Sequence, residues 1–127
     1  MSFTLIDLGK EGYEFRSSIW QWRPVLQIIR NLDLLSISKI RLMESNGTGV
    51  TIEEQEAHLI GKRIYEEILP KLQPNKRMFA NLTITDEPDD GTFYRDPENQ
   101  WRNYSVTYQW LKDFADFCLQ SKGFRIF

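Results

Sequence analysis

Three groups of residues in this 127-residue chain have the type and spacing to do chemistry. The first is Trp20-Gln21-Trp22-Arg23-Pro24. A guanidinium beside indoles can stack on a ring face and grip a carboxylate or phosphate with paired N–H donors. Trp20, Trp22 and Arg23 are therefore candidate ligand-binding residues of a small-molecule-binding or weakly active enzyme domain. The competing role is structural: two tryptophans just before a helix wedge it onto a sheet, and Arg23 answers a nearby carboxylate. The second group is acidic. Between Ile84 and Asn99 stand Asp86, Glu87, Asp89, Asp90, Asp96 and Glu98 against Arg95 alone, with Pro88, Gly91 and Pro97 as breakers. This reads as a long loop. Phe93, Tyr94 and Trp101 sit in or beside it, and rings with acidic neighbours suit the docking of a basic protein. Asp89, Asp90, Phe93, Tyr94 and Trp101 are the candidate partner-binding residues.

The same carboxylates raise the question of Ca²⁺. Asp86-Glu87-Pro88-Asp89-Asp90-Gly91 lacks the alternating ligand spacing of an EF-hand loop and its distal glutamate, so no metal is expected. The third group is His58 and Cys118, the sole histidine and the sole cysteine. They form the one available nucleophile dyad, but Cys118 lies on an apolar helical stripe, where cysteine packs as a small hydrophobe. Gly47-Thr48-Gly49 lacks the Lys-Ser/Thr of a phosphate loop, and Asn46-Gly47 reads as a tight turn. Glu53, Glu54, Glu56, Glu66 and Glu67 mostly project from a polar helix face. No catalytic residue and no cofactor is assigned.

Composition narrows the partners. Sixteen Lys+Arg against eighteen Asp+Glu give a formal charge of -2, which disfavours a nucleic-acid binder dependent on phosphate neutralisation. A lone cysteine excludes an intramolecular disulfide framework. No apolar run approaches the ~20 residues of a membrane span, and the first residues lack the basic-then-apolar layout of a secretory signal. The expectation is a cytoplasmic protein, with residues 1–127 forming a single domain.

These residues must be held by a small set of elements. Phe3–Ile6 and Tyr13–Arg16 alternate in character about Gly9 and Gly12, which predicts a hairpin. Trp20-Gln21-Trp22 continues the period of two and would place both indoles on one side of an extended segment. Pro24 suits a first helical position, and the apolar spacing of Val25, Leu26, Ile28, Ile29 and Leu32 predicts a helix ending between Asn31 and Leu35. Thr51-Ile52-Glu53-Glu54 has the form of a capping box. It opens a long amphipathic helix with Ala57, Ile60, Gly61, Ile64, Ile68 and Leu72 on one arc, ending or kinking near Leu69 ahead of Pro70. A third helix follows Ser105, with Val106, Trp110, Phe114, Phe117 and Cys118 in a stripe. Gly123 closes it and Phe124–Phe127 reads as a strand. Met78–Ile84 is a weaker strand. The prediction is an α+β domain with about three helices packed on one face of a small antiparallel sheet.

Trp20-Gln21-Trp22-Arg23-Pro24, Phe114-Ala115-Asp116-Phe117-Cys118 and Gly123-Phe124-Arg125-Ile126 together resemble a family of small bacterial proteins. That family carries W-x-W-R-P near the start and F-x-x-F-C followed by G-F near the end. The resemblance implies a shared fold and brings no assigned chemistry with it. From the residues themselves, the leading expectation is a non-catalytic protein-interaction domain that neutralises or regulates a basic partner such as a nuclease toxin. The rival is a pocket at Trp20, Trp22 and Arg23. Leu59 and Leu69, on the less apolar side of the long helix, leave room for a homodimer.

Overall fold

The computed structural model describes residues 2–87 and 98–127. It is α+β, with four helical bodies and two antiparallel sheets rather than three helices on one sheet. The predicted hairpin is present as β1 (Ser2–Asp7) and β2 (Glu14–Ser18). It joins β7 (Phe124–Ile126) and β3 (Val50–Ile52) in a four-stranded sheet of order β2-β1-β7-β3. The last strand thus lies in the middle, with Leu5 opposite Ile126 and Ile126 opposite Val50. Alternation assigns the two faces: Phe3, Leu5, Ile52, Phe124 and Ile126 are buried, whereas Ile6, Glu14, Arg16 and Arg125 are exposed. Gly123 leads into β7 at φ +92°, and a Cβ there would sit 2.9 Å from the Ile52 carbonyl, so only glycine fits.

Helix α1 runs Ile19–Asn31, with Ser18 as N-cap and Gln21 completing a capping box. It starts before Pro24, which lies inside the helix instead of opening it. The proline removes a single hydrogen bond near the N-terminus, a loss outweighed by burying Trp22, Val25, Leu26, Ile28 and Ile29 on one side. The helical start also separates the two indoles. At about 100° per residue they diverge by roughly 200°, so Trp20 and Trp22 do not share a face as an extended segment would require.

Helix α2 (Ile37–Met43), which periodicity did not reveal, is capped by Ser36 accepting from the Lys39 N–H. The long helix begins two residues later than its capping-box reading. Thr51 and Ile52 pair with β7, and Glu53 caps α3 (Glu54–Arg63) with Glu56 reaching back to its N–H. A π-helical stretch, Ile64–Ile68, then widens the helix before α4 (Leu69–Leu72) completes residues 54–72. The wide turn lies where Pro70 would otherwise clash with the carbonyl four residues earlier, so at the stop or kink expected near Leu69 the helix takes a bulge and continues. Leu69 is covered by its own chain, and Leu59 is 40% exposed.

A three-stranded sheet of order β5-β4-β6 follows, from β4 (Arg77–Phe79), β5 (Ile84–Thr85) and β6 (Ser105–Thr107). A 3-10 turn at Gln100–Asn103 precedes β6. Thr107, not Ser105, caps α5 (Tyr108–Gln120) by accepting from the Trp110 N–H, because Ser105 is taken up by pairing with Phe79. Helices α3 and α5 approach closely at Gly61, where a Cβ would lie 2.8 Å from the Ala115 carbonyl. No helix among the described residues is long and apolar enough to cross a membrane.

Candidate functional site

The tryptophan–arginine cluster is divided by the helix that carries it. Trp22 is fully buried, stacks on Phe3 at 5.4 Å and donates its indole N–H to the Met43 carbonyl at 2.8 Å. That bond ties α1 to the end of α2 and satisfies the one polar atom of the ring. Trp22 is core. Trp20 and Arg23, three apart on α1, share one neighbour instead. Trp20 stacks on Tyr104 at 5.2 Å, and the Arg23 guanidinium lies 5.0 Å from the centre of the same ring.

Beside this contact opens a cleft of about 380 Å³. One wall is the α1 stripe of Ile19, Arg23, Leu26, Gln27 and Arg30, and the facing wall is Ala80, Gln100, Trp101 and Tyr104, with Glu44 at one end. The facing wall is anchored to the small sheet. Ala80 donates its N–H to the Tyr104 carbonyl at 3.1 Å, and Trp101 meets Phe79 edge-on at 5.4 Å. Arg77 braces the same strand pair by donating to Ser105 Oγ at 3.0 Å while lying over the Phe79 ring.

Charge is unevenly placed along the cleft. Arg30 donates to Glu44 Oε1 at 2.8 Å and to Gln27 at 3.3 Å. Arg23 is exposed and pairs with no carboxylate among the described residues. The contact with Tyr104 is a cation–π approach at 5.0 Å, and a guanidinium carries planar N–H donors suited to an oxyanion. Among the described residues the lining therefore offers one cation with no carboxylate partner, the Trp101 ring and a neutralised ion pair.

The two sequence-derived residue sets meet here. Arg23 comes from the ligand-binding set and Trp101 from the partner-binding set, yet both line the same cleft. Asp89, Asp90, Phe93 and Tyr94 lie outside the described residues. Arg30, Glu44, Gln100 and Tyr104 escaped sequence reasoning. Only Arg30 carried a signal, standing one and two turns from Leu26 and Arg23 on the stripe.

The His58–Cys118 pair is not assembled for chemistry. Cys118 is completely buried, and burial pushes its thiol far up, away from the reactive thiolate. His58 Nε2 lies 3.0 Å from the Ser121 carbonyl at the end of α5. Among the described residues no group of three or more His, Cys, Asp or Glu side chains could hold a metal ion. Comparison of the chain with protein-family models, with curated proteins and with solved structures finds no match to any of them.

Proposed function

We propose that this chain is a non-catalytic binding domain whose cleft, between α1 and the turn at Gln100–Asn103, takes a planar carboxylate-bearing small molecule through Arg23. The observation that supports the reading is the Arg23 guanidinium, held over Tyr104 at the rim of a cleft that Trp101 also lines, with no carboxylate to neutralise it among the described residues. A carboxylate there would gain charge-assisted hydrogen bonds, and its flat body would lie against an aromatic wall. Benzoate is the minimal probe. Titrating ¹⁵N-labelled protein with benzoate should shift the Trp101 indole and Gln100 amide signals and leave the Trp22 indole unmoved. Shifts spread evenly over the surface, or none at millimolar benzoate, would refute the reading.

A second reading, docking of a basic protein, draws on the exposed Asp86, Glu87 and Glu98 that bracket the acidic stretch ahead of Trp101. Reversing the charges of Asp89 and Asp90 should then slow capture of the native partner and flatten its salt dependence.

A further inference from the structure

The cleft has two unlike ends, and this inference, which rests on the reading of Arg23 as a carboxylate anchor, concerns the other one. Arg23 and Arg30 stand two helical turns apart on α1, a separation of about 10 Å along the axis. Arg30 is already occupied: Glu44 Oε1 accepts from it at 2.8 Å, and Gln27 accepts a second N–H. Glu44 is half-exposed and its other carboxylate oxygen has no hydrogen-bond partner among the described residues. Among the described residues, one end of the cleft therefore presents a cation without a carboxylate partner, and the other a neutralised pair with a free acceptor oxygen.

We infer that the cleft selects a flat zwitterion, with its carboxylate on Arg23 and an ammonium group on the free Glu44 oxygen, the ring between them lying against Trp101. A dianion spanning both arginines fits less well, because its second negative group would have to approach Glu44. A simple monoanion leaves the Glu44 end unused. The volume of about 380 Å³ accommodates one ring with a polar group on either side.

The test compares 4-(aminomethyl)benzoate with benzoate on the full chain, following the Trp101 indole signal at pH 7. The wild type should bind the zwitterion about two- to fivefold more tightly, the range for one exposed ion pair. In Glu44→Gln the preference should vanish or reverse, because the ammonium loses its partner and Arg30 is released to attract carboxylates. Equal affinity of the two probes in the wild type, or a preference that survives Glu44→Gln, would overturn the zwitterion inference while leaving the carboxylate site standing. Binding of neither probe would overturn both. The wild-type comparison decides the matter even if Glu44→Gln perturbs the packing of α2.

Discussion

Replacing Asp7 by asparagine should cost about 3 kcal/mol of stability, more than its position at the end of β1 would suggest. The carboxylate is 7% exposed and accepts four hydrogen bonds. Oδ1 takes Ser121 Oγ at 2.7 Å and the Lys122 N–H at 2.9 Å, and Oδ2 takes the N–H groups of Gly9 at 3.0 Å and Lys10 at 2.7 Å. Asp7 thereby pins the hairpin turn to the end of α5. Asparagine has only one acceptor oxygen. In its better orientation, with oxygen toward Gly9 and Lys10, the Lys122 N–H is left facing an amide N–H₂. One charge-assisted bond at about 1.5–3 kcal/mol is lost, and the others weaken to neutral strength.

The pH dependence of this effect follows from the same contacts. Burial pushes the Asp7 carboxyl up, but the hydrogen bonds from Ser121, Lys122, Lys10 and Gly9 together outweigh it and hold the carboxyl below the ordinary carboxylate range. A group whose folded value is depressed contributes stability fully above its unfolded value and loses it as pH falls through the folded one. The wild-type advantage over Asp7→Asn should therefore be constant above about pH 5 and shrink below about pH 4. Urea unfolding of both proteins across this range measures it. A difference under about 1 kcal/mol at pH 7, or one that does not shrink in acid, would show that the ionised Asp7 carboxylate does not hold the hairpin turn to the end of α5.

Gly61→Ala should lower stability by about 1 kcal/mol in urea unfolding. Overpacking against the Ala115 carbonyl costs about 1–3 kcal/mol and exceeds the helix-propensity gain of about 1 kcal/mol. Gln73→Gly should do the reverse, raising stability by about 1 kcal/mol. Gln73 sits at φ 64°, ψ 151°, a region costly for any side chain, and relieving that strain outweighs the greater chain entropy of glycine. Cys118 should resist a thiol reagent in the native protein and react at the rate of unfolding; rapid native-state labelling would show that the core packed against α5 does not cover it.

Elements whose apolar residues repeat cleanly were legible in the amino-acid order. The hairpin alternates, β7 alternates after a left-handed glycine, and the long helix keeps its buried arc from Ala57 to Leu72. Helix α2 left no such trace, because Ile37 is 67% and Leu42 48% exposed and seven residues are too few to establish a stripe. The start of α1 was readable from Ser18-x-x-Gln21, a capping signal that the proline at position 24 obscured. At the start of α3, pairing of Thr51 and Ile52 with β7 displaced a capping motif that local sequence favoured. The cleft was half legible. Arg23 and Trp101 announced themselves by type, but their meeting depends on tertiary packing that brings α1, the end of α2 and the turn before β6 together. Glu44 and Tyr104 enter the site only through that packing.

The affinity of benzoate for the wild type and for Arg23→Gln, taken from the Trp101 indole shift, bears most directly on the cleft as an anion site. Arg23 is exposed and, among the described residues, makes no hydrogen bond or ion pair beyond its contact with the Tyr104 ring, so the variant should nearly retain its melting temperature. Loss of this exposed charge pair should weaken benzoate by about fivefold. An unchanged dissociation constant in the folded variant would contradict the account.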